Sequence, residues 1–258
     1  MTKKNYHPES YWSDVANRME MRDEEGEIIA GDDEPYYRYK RKKFLELLQA
    51  INFSGKKVLE VGSGPGGNLV EVSKLNPSKL VGADISQKMV SLAKKRVPDA
   101  VDVVKTDGTK LPFEDNSFDI VFTATVLQHV TDEKMLKPLL EEICRVSSDS
   151  IYLFEKVDKN IQGDELCMAR PVSYYNNIME QFGFNLSRKK PINIRMSYYV
   201  SGAIRKGLNP SSRKEGEPLN GISVFAQNLT LPITQIIDKV WYAEKDLVMM
   251  QYKLDKKR

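Results

Sequence analysis

The sequence predicts an α/β protein built on a doubly wound, mostly parallel sheet. Short apolar, β-branched runs alternate with amphipathic helical stretches from Lys56 to Val157. A glycine turn, with Gly62, Gly64 and Gly67 in the spacing G-x-G-x-x-G, follows the first run and opens the first helix. Asp84 then closes the second run, about 20 residues beyond Gly64, as an acid that binds a ribose would.

The elements follow in order. Residues 1–51 are expected to form an N-terminal arm and a leading helix. Met1 to about Pro35 is polar, acidic in its second half (RDEEGEIIAGDDEP), and reads as an arm rather than a core element. In YYRYKRKKFLELLQAI, Phe44, Leu45, Leu47, Leu48 and Ile51 recur at helical spacing. The core, 52–186, begins with the strand KVLEVG, the helix GGNLVEVSKL, the strand KLVGAD and the helix SQKMVSLAKKRV with Ser86 as its N-cap. Strands VDVVKTD and SFDIVFTAT come next, then a helix, TDEKMLKPLLEEICRVS, interrupted by Pro138, then the strand SIYLFEKV. A helix, VSYYNNIMEQFGF, closed by Gly183, completes the core. From 187 to 244 the alternation fails among Gly202, Gly207, Pro210, Gly216, Pro218, Gly221 and Pro232, which suits an inserted lid of short mixed segments. Residues 245–258 return as a strand, DLVMMQYKL.

Composition narrows the class. The chain has 258 residues, 41% hydrophobic and 29% charged, enough for one large domain with insertions. A net charge of +3 is too small to argue for RNA or DNA by itself. Cys144 and Cys167 offer no metal spacing and no disulfide framework, so no metal is expected. No apolar run approaches the roughly 18 residues of a membrane span, so the expectation is a cytoplasmic protein without a membrane partner. Oligomeric state is not legible.

The glycine loop and Asp84 together describe an adenosine site. Glycines let the backbone turn tightly and approach a ligand, and helix N-terminal N–H groups favour negative charge. Glu60, two residues ahead of Gly62, separates the cofactors. A dinucleotide puts a pyrophosphate over this loop, and a nearby carboxylate would repel it by about 1 to 4 kcal/mol. S-adenosylmethionine carries no phosphate, and its ammonium would be attracted by Glu60 directly or through water.

VLEVGSGPGGN resembles motif I of the class I S-adenosylmethionine-dependent methyltransferases. VGADIS and VKTDGTKLPFEDNSFDIVFTATVLQHVTD resemble that family's following segments, in order, over about Lys56 to Val157. The resemblance implies a Rossmann-like, seven-stranded sheet with an antiparallel last strand, here DLVMMQYKL. It implies that Gly62, Ser63 and Gly64, with backbone around Thr123, touch the methionine part of the cofactor. Asp107 and Gly108 would read the adenine, with Ile85 and Met89 packed near the adenosine.

Methyl transfer needs alignment, exclusion of water and, for a hydroxyl acceptor, a base. His129, after the fourth strand, is the candidate base, because imidazole titrates near neutral pH; a loop-stabilising role is its alternative. Gln128 is a further candidate for cofactor or substrate contact. Tyr11 and Trp12 of the arm, Tyr36 and Lys40 of the leading helix, and Tyr198 and Tyr199 of the lid are candidate substrate contacts. The basic run Arg38 to Lys43 reads as a solvated face. Ser187 to Lys214 carries Arg188, Lys189, Lys190, Arg195, Arg205, Lys206, Arg213 and Lys214 with no acid, a field that would focus an anionic small-molecule acceptor such as a phosphorylated sugar. The competing readings are methylation of protein or RNA, an NAD-dependent oxidoreductase, and a non-catalytic cofactor-binding protein.

Overall fold

Two helices precede the sheet, α1 (Pro8–Arg22) and α2 (Pro35–Leu48). In the computed structural model the described residues are 6–22, 34–241 and 246–255. The core runs β1 (Lys57–Val61), α3 (Gly67–Ser73), β2 (Lys79–Asp84), α4 (Gln87–Lys94), β3 (Asp102–Lys105), β4 (Phe118–Ala124), α5 (Glu133–Val146) and β5 (Ser147–Val157). A small hairpin, β6 (Gln162–Gly163) and β7 (Met168–Ala169), leads to α6 (Val172–Met179) and β8 (Phe184–Pro191). Then come α7 (Arg195–Leu208), α8 (Gly221–Val240) and β9 (Asp246–Leu254).

The seven strands lie in the order β3-β2-β1-β4-β5-β9-β8. β1 to β5 pair in parallel, and β9 enters antiparallel between β5 and β8. Alternate residues serve opposite faces. Leu59, Val61, Val121 and Leu153 meet Leu136, Leu140 and Ile143 of α5 on one face. Val58, Leu80, Ile120, Phe122 and Phe154 meet Phe44 and Leu48 of α2 and Leu69 and Val72 of α3 on the other. The predicted doubly wound sheet with an antiparallel last strand is present.

Four expectations need correction. The opening arm contains a packed helix: Val15, Ala16 and Met19 of α1 are buried against Met89 and Leu92 of α4. Its acidic stretch 23–33 lies outside the described residues. α5 runs unbroken through Pro138. An interior proline costs about 3 kcal/mol, while burying Leu136, Leu139, Leu140 and Ile143 gains about 1.5–3 kcal/mol each, so packing wins. The boundary expected at 187 falls inside β8, which is a sheet strand. The rest of the lid is two long helices rather than short mixed segments, because Gly202 and Gly207 sit in α7 where an added Cβ would meet nothing, and α8 accommodates Pro232.

Candidate active site

The carboxyl ends of β1, β2 and β4 open into a cavity of 1120 Å³, walled by α1, α2 and α7. Its floor starts at the glycine loop. Gly62 has φ +74°, and a Cβ there would lie 2.3 Å from Val126 Cγ2, so only glycine lets the β1 loop touch the loop after β4. Gly64 has φ +52°, and its Cβ position looks into open space.

Asp84 fixes this loop. Its Oδ2 accepts the Gly64 N–H at 2.8 Å and its Oδ1 the Ser86 N–H at 2.8 Å. Burial pushes its pKa up, and these backbone bonds oppose that. Each oxygen keeps lone-pair capacity for a ligand donor. Ser86, the N-cap of α4, also meets Ser13 Oγ of α1 at 2.9 Å, which ties the N-terminal helix to the site.

Glu60 lies behind the wall, not on it. Its Oε1 accepts from Asn68 Nδ2 at 2.8 Å, and Asn68 lines the cavity. Asn68 Oδ1 in turn accepts from Arg41 at 3.1 Å, and Arg41 also donates to the Gly67 carbonyl at 2.9 Å. Oε2 of Glu60 and Oγ of Ser63 are buried with no hydrogen bond among the described residues. Burial pushes the Glu60 carboxyl up to about 8, so without a cationic ligand it is largely neutral at pH 7. The sign follows: a carboxyl raised from 4.5 to about 8 contributes stability that is present below pH 4.5 and lost as pH rises through 8. Glu60→Gln is therefore expected to raise the ligand-free protein's stability by about 2–4 kcal/mol at pH 8.5 and to leave it unchanged at pH 4, as thermal melts across pH would show.

The loop after β4 is held by two charges that sequence reading passed over. Glu155 of β5, fully buried, accepts Thr123 Oγ1 at 2.8 Å, the Val126 N–H at 3.0 Å and the Gln128 N–H at 3.2 Å. Arg170, also fully buried, donates to the carbonyls of Leu127 at 3.1 Å and Val130 at 3.0 Å and pairs with Glu133. The same loop holds Thr125, a β-branched residue at φ +59° on the cavity wall. Such backbone costs of order 1–3 kcal/mol and persists only where the surroundings impose it, commonly at functional sites.

His129 reaches the wall with both ring nitrogens engaged. Nδ1 lies 2.7 Å from the Leu166 carbonyl, so it carries the proton. Nε2 then accepts from Gln128 Nε2 at 3.0 Å, an orientation fixed because Gln128 Oε1 accepts the Lys156 N–H at 3.1 Å. Trp12 packs edge-on, and burial pulls the imidazole down to about 4. A neutral imidazole whose lone pair is taken is a poor base at pH 7.

The wall brings together Gly62, Ser63, Gly64, Asp84, Ile85, Met89, Gly108, Gln128 and His129 with Trp12, Tyr36, Lys40 and Tyr198. Five candidates stand off it. Besides Glu60, Asp107 caps a turn, its Oδ1 accepting from Thr109 N, Thr109 Oγ1 and Lys110 N. Thr123 spends its hydroxyl on Glu155. Tyr11 donates to Glu215 at 2.6 Å, and Tyr199 stacks under Arg195. Of the eight basic residues expected to focus an anion, only Arg195 lines the cavity; Arg188, Lys189 and Lys190 lie on the edge strand β8, and Arg205 pairs with Glu34. The positive wall comes instead from Arg38, Lys40, Arg41 and Lys42, the run read as a solvated face. Burial lowers the Lys40 pKa.

Residues 59–153 match the family model of a methyltransferase domain. The chain is 40% identical over 74 residues to a phthiotriol/phenolphthiotriol dimycocerosates methyltransferase of Mycobacterium tuberculosis, covering 28% of this chain and 27% of that protein. It is 28% identical over 155 residues to phosphoethanolamine N-methyltransferase 1 of Arabidopsis thaliana, covering 54% and 31%. The chain thus spans about a quarter to a third of the curated relatives it matches. Its fold is shared with a putative sarcosine dimethylglycine methyltransferase from Galdieria sulphuraria, at a TM-score of 0.60, 15% identity and coverage of 92% of this chain and 97% of that one. The matched segment carries this glycine loop and runs from β1 into β5, so the likeness to S-adenosylmethionine-dependent methyltransferases covers residues 59–153 of a chain whose strand order they share.

Proposed function

We propose that the protein transfers a methyl group from S-adenosylmethionine to an oxygen or nitrogen of a small, anionic acceptor. The observation that carries this reading is Asp84 on the cavity wall, which holds the Gly64 N–H beside the open space above that glycine. Its spare lone pairs suit the hydroxyls of an adenosine ribose. When bound, the cofactor supplies a methyl already activated on a sulfonium.

The chain's residues have the remaining work of binding and alignment. Asp84 takes the ribose hydroxyls, and Ile85, Met89 and Gly108 form the apolar adenine wall. Asn68 presents its polar end to the ammonium with Glu60 behind it, and Arg41 stands near the carboxylate. An ammonium there draws the Glu60 carboxyl toward its ionised form. Trp12, Tyr36, Lys40 and Tyr198 surround the acceptor and exclude water. Lys40, Arg38 and Arg195 supply the attraction for an anion, and the phosphoethanolamine methyltransferase among the relatives is consistent with such an acceptor.

His129 acts as a positioning residue in this reading. His129→Asn is expected to keep kcat within about tenfold of wild type, because removing a general base costs about 10²–10⁴-fold. A loss beyond a hundredfold, with the acidic limb of the pH–rate profile gone, would restore it as the base. Titration calorimetry with S-adenosylmethionine, its demethylated product and NAD tests the cofactor; binding of NAD alone overturns the proposal. Transfer of labelled methyl to a cell extract, followed by mass analysis, identifies the acceptor.

A further inference from the structure

Helix α8 is polar inside and apolar outside. Ser223, Gln227, Thr234 and Asp238 are buried together with a single apolar residue, Leu231, and the four polar ones hold the helix by hydrogen bonds. Asp238 accepts from Met196 N at 2.7 Å and Ser197 Oγ at 2.6 Å of α7. Gln227 donates to Glu34 at 2.8 Å and accepts from Tyr36 N at 3.2 Å. On the opposite side Ile222, Phe225, Leu229, Ile233, Ile236 and Val240 are each 63–80% exposed. They are spaced by three or four residues, so they form one continuous stripe. A helix facing water has the reverse arrangement.

We infer that this stripe docks the protein on an anionic lipid bilayer, with α8 lying in the plane of the interface. Charge selects that occupant over a second copy of the chain. Across residues 195–241 the exposed charged side chains are Lys206, Lys214 and Lys239; Glu215 and Glu217 are half-buried, as are Arg195, Arg205 and Arg213, and Asp238 is buried. Two such faces brought together would oppose like charges, whereas anionic headgroups complement them. At the C-terminal end of the stripe, Trp241 and Tyr199 flank Arg195 at 5.2 and 5.7 Å, each aromatic 43–46% exposed. Aromatic rings with a polar tip beside a cation favour headgroup depth. No described helix is long and apolar enough to cross a membrane, so the geometry is that of a helix lying on the surface. Arg195 and Tyr198 of the same helix pair line the cavity, which places the docking face beside the site's outer wall.

Co-sedimentation of the full chain with vesicles tests this without cofactor or acceptor, so its outcome is independent of methyl transfer. Phosphatidylcholine vesicles containing 30% phosphatidylglycerol should bind at least tenfold more protein than phosphatidylcholine alone, and 0.5 M salt should remove most of that gain. The triple variant Phe225→Ser, Leu229→Ser, Ile236→Ser should lose at least tenfold in partitioning. Lys206→Glu with Lys239→Glu, which leaves every apolar contact intact, should lose several-fold and covers the case in which the triple variant misfolds. Equal binding to both vesicle types overturns the proposal. So does a wild-type dimer that ignores vesicles and becomes a monomer in the triple variant.

Discussion

Asp84→Ala is expected to weaken S-adenosylmethionine binding at least a hundredfold and to lower the protein's own stability. The two effects have separate causes. The carboxylate is the acceptor for the Gly64 and Ser86 N–H groups, both at 2.8 Å, and each buried N–H left unpaired costs about 1–3 kcal/mol. Losing charge-assisted bonds to the ribose, at about 1.5–3 kcal/mol each, supplies the rest of the binding loss. Asp84→Asn distinguishes them. It keeps one acceptor oxygen, so it should recover part of the stability while binding stays weak. Calorimetry alongside thermal melts would show the split; wild-type affinity in Asp84→Ala would remove the ribose from this position.

The second large effect belongs to Glu155. Glu155→Ala strips the acceptor from Thr123 Oγ1, Val126 N and Gln128 N at once. We expect a loss of about 3–5 kcal/mol, which for a chain of this size is roughly 10 °C in Tm. Below the new Tm, kcat should fall more than the cofactor Kd rises, because the loop it holds brings Gln128 and His129 to the cavity wall while the glycine loop is pinned separately by Asp84. Burial also raises the Glu155 pKa, so its contribution to stability declines as pH rises. A variant with unchanged Tm and kcat would show that the loop stands without it.

The core was legible because parallel strands buried on both faces read as short apolar runs, and because turn glycines such as Gly62 mark where backbones must touch. Asp84 was legible from its distance to the glycine loop. Glu155 and Arg170 were not, since their partners are backbone groups 27 to 43 residues away that no local spacing reveals. Glu60 was read as meeting the cofactor's ammonium directly or through water, whereas the structure buries it behind Asn68, a neighbour eight residues on that no local spacing marks. Of the α2 wall, Tyr36 and Lys40 were named as candidate contacts but Arg38, Arg41 and Lys42 were not, because a run of lysines and arginines looks solvated until a fold turns some of them over a cavity. α8 defeated the reading most completely. It was read as short mixed segments because Gly221 and Pro232 look like breaks, whereas one helix starts at the first and runs through the second with its polar residues facing inward.

The place of β9 in the sheet has a consequence for how the molecule is assembled. Among the described residues β8 pairs with β9 alone, while residues 192–245, including α7 and α8, lie between them in sequence. During synthesis β8 must therefore wait, unpaired, until the later strand emerges and slots in beside β5. Only that insertion draws the α7–α8 hairpin over the carboxyl ends of the strands. The wall built from the ends of β1, β2 and β4 can form early, and the wall that α7 contributes is completed last.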